Sequence, residues 1–327
     1  MRILVIRIDF LGDMLCTTPL LHALRQRWPG AEIHVLGNRY NLPLLERNPD
    51  VAASHVYIYS KQFERNPRPG WFAAAQDRLA LLARLRRLRF DLLLVPNGGM
   101  NKNSISFARQ LGVADCRWHT TASEFDDRVA AHAASRPLRH EALAGFALLP
   151  ELGEVDADSL RLRVYPDARL QALWRARLGA KNRPRVGLFI SNKAAARRWP
   201  WSRWSALADR LQERVEVLIF QDPAEPAVAA AKRLAIATLP ELVAATSELD
   251  LVVSADSLPV HLGAALQIPV VALFEDRPEK YLRWYPLGVP HALLYAGARV
   301  DAIAPDAVER AVHCLLDAQQ RPARRVG

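Results

Sequence analysis

The chain has 327 residues, of which 50% are hydrophobic and 24% are charged, and this balance predicts packed globular domains and excludes a disordered chain. We find no apolar run of the roughly 18 residues that span a membrane, no secretion signal and no disulfide or metal spacing among the three cysteines, which favours the cytoplasm. The net charge of +10 predicts an anionic partner, which leaves nucleic acid, an anionic membrane and a phosphorylated substrate open.

The first half of the chain alternates short apolar strands with longer helical segments. The predicted strands are Ile3–Ile6, Ile33–Leu36, His55–Tyr59 and Leu92–Val95. The predicted helices are Met14–Trp28, Pro43–Glu46, Phe72–Arg89, Asn103–Leu111 and His140–Leu149. This alternation predicts a parallel sheet with helices on both faces.

The alternation stops between about residues 155 and 182 and then restarts. The second set of predicted strands is Val186–Ile190, Val215–Phe220, Leu251–Val253 and Val270–Phe274. The predicted helices are Trp204–Gln212, Ala227–Leu234, Leu239–Thr246, His261–Leu266 and Pro305–Ala318. We therefore predict two doubly wound α/β domains, residues 1–155 and 156–327, facing each other across a cleft. Ligands are expected beyond the carboxyl ends of the strands. An alternative for the final helix, residues 305–318, is that it packs back on the N-terminal domain.

Two acids stand where the first strand meets the first helix, in the stretch RIDFLGDML. Asp13 lies close to the helix start, so it either complements the helix dipole or acts as a general base at the strand end. Asp9 either orients Arg7 or braces the turn. The local sequence does not decide between these roles.

Two stretches in the second half suit an anionic ligand. In SADSLPVHLGAALQIPVVALF a strand leads into a helix whose free N–H groups suit a phosphate, with Ser257 adding a hydroxyl. In NKAAARRWPWSRW the cations Lys193, Arg197 and Arg198 suit a diphosphate. The alternatives are a capped helix whose His261 packs against the sheet, and a solvated basic loop. The chain has neither a P-loop nor a G-x-G-x-x-G motif, which argues against an NTPase or a dehydrogenase.

Over nearly its whole length the chain resembles the family 9 glycosyltransferases, best known as ADP-heptose:lipopolysaccharide heptosyltransferases. The likeness rests on the opening ILVIRIDFLGDMLCTTPLLHALRQRWPGAEIHVL, on RRWPWSRWSALADRL and on SADSLPVHLGAALQIPVVALF. Shorter landmarks are LLERNPDV, RFDLLL and RHEA. The resemblance implies a GT-B architecture and an inverting transfer from a nucleotide-activated sugar, most simply heptose from ADP-heptose, to a lipopolysaccharide core.

The resemblance also implies roles for individual residues. Asp13 matches the proposed catalytic base of the family. The match assigns donor binding to Arg197, Glu225, Asp256, Ser257 and His261. Lys193 is added for its charge and Leu258 for its backbone at the helix start. The acceptor assignment comes from position and charge, not from a family motif. Lys61, Arg65, Arg68 and Lys102 are placed on loops after N-terminal strands, where they are expected to meet the phosphates of an acidic, lipid-linked oligosaccharide.

We expect no cofactor and no metal, because no Asp-x-Asp motif stands at a strand end and cationic groups stabilise the leaving diphosphate. Nucleic acid is not an expected partner, since no helix-turn-helix, zinc-finger or aromatic-rich strand motif is found. The expected location is the cytoplasm, with peripheral contact at the cytoplasmic face of the inner membrane as the alternative. The oligomeric state stays open.

The chain departs from the family pattern on the donor side. Leu258 replaces a usual glycine, and FEDRPEK, with Glu275 and Asp276, replaces a usual F-G-P-T segment. These changes leave two alternatives: a related transferase with another sugar nucleotide or a non-lipid acceptor, and a non-catalytic binding or assembly protein that retains the fold. The presence of Asp13, Asp256 and His261 speaks against the non-catalytic alternative.

Overall fold

The computed structural model describes residues 1–99, 101–119, 131, 138–225 and 233–320. The chain divides into two compact units, Met1–Tyr165 and Pro166–Gly327. None of the helices in the described ranges combines the length and the apolarity that crossing a bilayer requires.

The first unit is a parallel sheet flanked by helices. Its strands are β1 (Arg2–Ile6), β2 (Glu32–Gly37), β3 (Ala53–Val56), β4 (Leu92–Val95) and β5 (Asp115–Trp118). Its helices are α1 (Leu11–Arg27), α2 (Trp71–Arg87) and α3 (Lys102–Leu111). Short 3-10 turns cover Leu42–Leu45, Phe63–Arg65, Glu141–Leu143, Phe146–Leu148, Pro150–Leu152 and Ala157–Ser159. The strand order is β3-β2-β1-β4-β5.

Strand β1 forms the centre of this sheet because Ile3–Ile6 are apolar and fully buried. Its residue Ile3 pairs with Ile33 of β2 on one side and with Leu92 of β4 on the other, both in parallel register. From β1 the chain turns to one side through β2 and β3 and then returns to the other side through β4. The strand order therefore reverses between β1 and β4, and in doubly wound sheets ligands bind at the carboxyl ends of the strands at such a reversal.

The second unit repeats this plan with one more strand. Its strands are β6 (Arg185–Phe189), β7 (Glu216–Phe220), β8 (Arg233–Leu234), β9 (Leu251–Ala255), β10 (Val270–Phe274) and β11 (His291–Tyr295). Its helices are α4 (Ala168–Leu178), α5 (Trp201–Leu211), α6 (Leu239–Thr246), α7 (Leu258–Ala265), α8 (Pro278–Trp284) and α9 (Pro305–Gln320). The order β11-β10-β9-β6-β7-β8 places the reversal between β6 and β9.

The core of the second unit includes its C-terminal helix. Trp199 and Trp204 are buried edge to face, with ring centroids 4.7 Å apart. Val308 and Val312 of α9 are fully buried in the same cluster. The final helix therefore packs on the sheet of its own unit. Gly263 of α7 lies so close to β10 that an added Cβ would meet a Val270 methyl at 2.7 Å, so only glycine fits there.

The division between the units falls after Tyr165, ten residues later than the sequence-based boundary at 155. The intervening segment packs on the first unit: Leu162 and Val164 are buried, and the N–H of Arg163 donates to Thr18 Oγ1 at 2.9 Å. Its apolar residues alternate with arginines, which is the period-2 pattern of an extended segment with one buried face, and the prediction of a linker overlooked this pattern.

Two predicted helices are wrong, at least in part. Over His140–Leu149 the structure has two 3-10 turns, because the segment is held against α1: a Cβ on Gly145 would lie 2.5 Å from a Leu20 methyl. Of the predicted helix Ala227–Leu234, residues 227–232 lie outside the described ranges. Its last two residues form strand β8, because they pair with the end of β7.

Candidate active site

A buried arginine organises the loop after β1. Arg7 is 1% exposed. Its Nη2 donates to Asp13 Oδ1 at 2.6 Å and to Glu141 Oε1 at 3.0 Å. Its Nε lies 3.3 Å from Asp9 Oδ2. One guanidinium therefore stands among three carboxylates at the carboxyl end of the central strand.

Asp9 is fixed by amides from the neighbouring strand end. Asn97, after β4, and Asn101, at the start of α3, both donate their side-chain N–H groups to the Asp9 carboxylate. Asn38, after β2, donates to the backbone oxygen of Asp9 at 2.8 Å. Asp9 therefore contacts Arg7 and also braces the turn, as both predicted roles require.

The surroundings raise the pKa of Arg7, of Asp13 and of Asp9 in this cluster. Burial alone would lower the pKa of Arg7, but the carboxylates of Asp13, Glu141 and Asp9 raise it, so the guanidinium stays protonated. Burial raises the pKa of Asp13 to about 7; the charges of Asp9 and Glu141 act in the same direction, and Arg7 opposes them. Burial also raises the pKa of Asp9.

This arrangement suits Asp13 to accept a proton. Its side chain lies in the first turn of α1 and keeps 17% of its surface exposed, so a ligand can reach it. A carboxylate with a pKa near 7 is a stronger base than an ordinary aspartate and is still substantially ionised at neutral pH. The hydrogen bond from Arg7 holds one carboxylate oxygen.

In the second unit, the loops after β6 and β9 meet through an ion pair. Arg197 Nη1 donates to Asp256 Oδ2 at 3.0 Å and to the Asp256 carbonyl oxygen at 3.1 Å. Asn192 Nδ2 donates to the same carbonyl oxygen at 3.0 Å. The basic loop and the start of α7 therefore form one structural element at the strand reversal of the second sheet.

The sequence limits the backbone donors at the start of α7. Pro259 has no N–H, and the N–H of Val260 donates to the Ser257 carbonyl oxygen at 3.2 Å. Ser257 does not cap the helix with its side chain, and it stands beside Leu258, the first helical residue. A helix start ordinarily offers several free N–H groups, so the predicted binding of a diphosphate here depends more on side-chain cations.

Glu225, in the loop after β7, is tied to the loop after β6. Its Oε2 accepts a hydrogen bond from Ser191 Oγ at 2.8 Å, and Arg198 Nη2 lies 4.0 Å from its Oε1. Lys193 is exposed on the same loop. These contacts bring the three predicted donor loops of the second unit to one edge of its sheet.

His261 is buried in α7, with its ring edge to face against Trp284 at 5.8 Å between centroids. Burial lowers the pKa of His261 to about 4, so the imidazole is neutral at physiological pH. A neutral His261 cannot supply positive charge to a diphosphate. Its donor-binding role stays a prediction, restricted to uncharged contacts.

Asp256 lies among further charged groups. Burial raises its pKa, Arg197 and Lys280 oppose this shift, and Glu275 adds to it. Lys280 lies in α8, which sequence reasoning did not predict, so this cation is missing from the predicted site. Lys280 is the last residue of FEDRPEK, but the prediction considered only Glu275 and Asp276 of that segment.

The four predicted acceptor cations are exposed on the first unit. Arg65 donates to Gln62 and covers the Tyr59 ring at 4.5 Å. Arg68 forms an ion pair with Asp77, which neutralises part of its charge. Lys102 is the first residue of α3 and not a loop residue, which corrects its predicted position. Their role in acceptor binding stays a prediction.

Sequence reasoning missed Glu141 and the central role of Arg7. Glu141 also accepts a hydrogen bond from the Gly98 N–H at 2.9 Å, so it joins the loop after β4 to the cluster. Its only sequence signal is the RHEA landmark, far along the chain from Asp13. No local pattern connects the two.

Comparison with known proteins agrees with the sequence resemblance. The sequence pattern described as glycosyltransferase family 9 (heptosyltransferase) matches residues 78–293. Lipopolysaccharide heptosyltransferase 3 of Escherichia coli is 24% identical to the chain over 289 residues, which cover 81% of each protein.

Solved structures of similar proteins share the fold. A family 9 glycosyltransferase from Veillonella parvula has a TM-score of 0.75 at 19% identity and covers 97% of both chains. E. coli ADP-heptose lps heptosyltransferase II has a TM-score of 0.71 at 20% identity, over 98% of this chain and 100% of its own. E. coli heptosyltransferase WaaC, solved with ADP-2-deoxy-2-fluoro heptose, has a TM-score of 0.70 at 17% identity, over 96% and 99%. The fold is GT-B, with two Rossmann-like α/β domains.

Proposed function

The chain belongs to glycosyltransferase family 9, and from this premise we propose that it transfers heptose from ADP-heptose to a lipopolysaccharide core acceptor with inversion at the anomeric carbon. The observation that carries the proposal is the position of Asp13, which is held by Arg7 and is partly exposed at the carboxyl edge of the first sheet. The names of the E. coli relatives support the choice of heptose, ADP and lipopolysaccharide.

In the proposed reaction, the acceptor hydroxyl binds at the first unit and attacks the anomeric carbon. Its proton passes to the Asp13 carboxylate as the new glycosidic C–O bond forms. The bond between the anomeric carbon and the diphosphate oxygen breaks in the same displacement, and ADP leaves with the electron pair. A single displacement inverts the anomeric centre.

The second unit binds the donor in this proposal. Arg197, oriented by Asp256, neutralises the diphosphate, with Lys193 and Lys280 as further cations on the same edge. Glu225 is a hydrogen-bond acceptor suited to the ribose hydroxyls. Preorganised cations of this kind stabilise the leaving group electrostatically, so the proposed reaction uses no metal.

The acceptor is a lipid-linked, acidic oligosaccharide, and the proposal places the enzyme at the cytoplasmic face of the inner membrane as a peripheral protein. The exposed cations of the first unit, Lys61, Arg65, Arg68 and Lys102, then meet the phosphates of the acceptor. The division into an acceptor-binding first unit and a donor-binding second unit is part of the same proposal.

A second candidate is a family 9 transferase with another sugar nucleotide. Leu258 and the buried Glu275 favour it, because both change the donor edge of the second sheet. A bulky side chain at the start of α7 and an added carboxylate near Asp256 alter which sugar or phosphate group fits.

The decisive experiment is turnover with a purified acceptor that lacks the terminal heptose. Incubation with ADP-heptose is expected to release ADP and to increase the acceptor mass by one heptose, with and without a chelator. UDP- and GDP-sugars are expected to give no product. Product from another nucleotide sugar alone would select the second candidate, and loss of activity in the chelator would overturn the metal-independent route.

A further inference from the structure

The outer face of helix α2 is apolar. Trp71 and Phe72, its first two residues, keep 71% and 69% of their surface exposed. Their rings meet edge to face with centroids 5.8 Å apart. Two adjacent exposed aromatic side chains place a large apolar area in water, an arrangement that marks interaction sites when the surface around it is polar.

The apolar surface continues along the helix. Leu79 is 68% exposed, and Ala75 and Ala83 are exposed on the same side, at helical spacing from Phe72. The opposite side already supplies the core, through Leu81 and other buried residues. The helix therefore presents apolar side chains to the interior and also outward, which a helix surrounded only by water does not need.

Positive charge surrounds this face. Arg84 and Arg87 are exposed in the last turns of α2, and no acid in the described part of the chain forms an ion pair with either. Lys61 and Arg65 are exposed in the segment before the aromatic end. Asp77, the only acid in the helix, is held by Arg68. Glu64 is the one exposed acid between Lys61 and Arg65, so the rim of the apolar face carries a net positive charge.

We propose that the outer face of α2, with Trp71, Phe72 and Leu79 at its centre, is a docking surface for an anionic phospholipid bilayer. This role of α2 rests on the proposed function, in which the acceptor is anchored in the membrane and the enzyme must bind there to reach it. Aromatic and leucine side chains enter the boundary between headgroups and acyl chains, and the surrounding cations contact anionic headgroups.

A bilayer fits this surface better than a second copy of the chain. A twofold contact through α2 would bring the same cations of both copies into one small area, and like charges repel. An anionic membrane reverses the sign of that interaction. The aromatic end also lies at the carboxyl edge of the first sheet, as the start of α1 with Asp13 does, because both helices follow parallel strands.

The test uses vesicles without any acceptor, so its result does not depend on the transferase activity. The full chain is expected to co-sediment with vesicles of phosphatidylcholine and phosphatidylglycerol, and more weakly with pure phosphatidylcholine. Trp71→Ala with Phe72→Ala is expected to weaken binding to the anionic vesicles at least about tenfold, since the inserted apolar area is lost. Leu173→Ala removes a 64% exposed leucine of α4 and serves as the matched control.

A variant with altered charge distinguishes docking on an anionic membrane from nonspecific hydrophobic binding. Arg84→Gln with Arg87→Gln is expected to reduce binding to anionic vesicles and to leave the weak binding to phosphatidylcholine unchanged. Arg169→Gln with Arg177→Gln, on α4, is the control. Unchanged vesicle binding in both the aromatic and the arginine double variants would overturn the proposal. A concentration-dependent dimer that the aromatic variant abolishes without vesicles would overturn it in favour of a second copy.

Activity distinguishes this inference from the proposed function. With a lipid-free acceptor, the aromatic double variant is expected to retain wild-type turnover, and with acceptor in vesicles it is expected to lose most of it. Wild-type binding to anionic vesicles without any transferase activity would support docking and defeat the proposed function. If the aromatic double variant also loses turnover on the lipid-free acceptor, Trp71 and Phe72 are needed for the structure of the active site and not for membrane docking.

Discussion

Asp13 and Glu141 accept hydrogen bonds from the same nitrogen, Nη2 of Arg7, at 2.6 and 3.0 Å. The two acids come from distant parts of the sequence, yet one donor sets their separation and orientation. A change at Glu141 is therefore expected to reach Asp13 in two ways, through the shared Arg7 donor and through the loss of the Glu141 negative charge. This coupling makes the proposed base testable from two positions.

The first prediction concerns Asp13 itself. Asp13→Asn is expected to lower kcat by about 10² to 10⁴, because an amide cannot accept the proton of the acceptor. Melting temperature and ADP affinity are expected to stay close to wild type, since Asp9 and Glu141 still neutralise Arg7. Asp9→Asn, the comparison variant, is expected to lose stability and keep most turnover. Retention of more than about a tenth of wild-type turnover in Asp13→Asn would move the base elsewhere.

The pH profile of the reaction provides the second prediction. A base works only when deprotonated, so the raised pKa of Asp13, about 7, predicts that kcat/KM falls as the pH drops below 7. Glu141→Gln removes a negative charge that raises this pKa, so the acid limb is expected to move to lower pH. Glu151→Gln, an exposed partner of Arg117, is the control. An unmoved acid limb in Glu141→Gln would contradict the coupling.

For donor binding, the critical cation is predicted to be Arg197. Since α7 begins with few free N–H groups, Arg197→Ala is expected to raise the dissociation constant of ADP about 10- to 100-fold, the range for lost charged hydrogen bonds. Arg197→Lys is expected to retain part of the affinity, because it keeps the charge without the planar fork. Arg169→Ala, on α4, is the control, and calorimetric titration measures all three. Equal affinities in Arg197→Ala and the control would exclude this role.

Choice of nucleotide is tested by thermal unfolding. A ligand that binds only the native state adds about 2.7 kcal/mol to the unfolding free energy at 100 times its dissociation constant. ADP is expected to raise the melting temperature more than UDP, GDP or CDP at equal concentration. A larger shift with UDP or GDP would contradict the heptose assignment and leave the transferase assignment intact.

The last prediction separates two acceptor cations by their partners. Arg65→Gln is expected to raise the acceptor KM up to about fivefold, the effect of losing one exposed ion pair. Arg68→Gln is expected to change it less, because Asp77 already neutralises part of the charge. The wild-type KM is expected to rise with salt, which screens exposed charges over about 8 Å at 0.15 M. If the acceptor KM changes neither with salt nor in Arg65→Gln, these cations lie outside the acceptor site.

Much of the fold follows from local sequence because its central strands are continuous apolar runs. β1, β4, β9 and β10 were all predicted close to their observed bounds. Edge strand β5 was missed, since Asp115 and Arg117 pair with each other at its partly exposed surface and break the apolar run. Helix α4 was missed within a predicted linker, because only Trp174 of that helix is buried and no apolar stripe shows.

The residues of the candidate site likewise include some that local sequence predicts and some that it does not. Asp13, Arg197 and Asp256 stand at strand ends or helix starts, so local sequence is enough to single them out. Glu141 joins them only through tertiary contact with Arg7 and the Gly98 N–H, which no periodicity reports. The pKa of Asp13 also depends on burial and on charges from separate loops, and sequence spacing contains neither.

The segment that ends the first unit has a practical consequence for exchanging halves between related enzymes. Residues after 155 extend along the first unit, and the N–H of Arg163 reaches Thr18. A chimaera joined at 155 would replace the segment from 156 to 165 with that of the other enzyme. The Thr18 hydroxyl and the apolar residues around it would then face a segment to which they are not fitted. A junction after Tyr165 keeps this segment together with the first unit, on which it packs. Hybrid enzymes are therefore best joined there, and an exchange at this junction tests the proposal that the second unit alone selects the donor nucleotide.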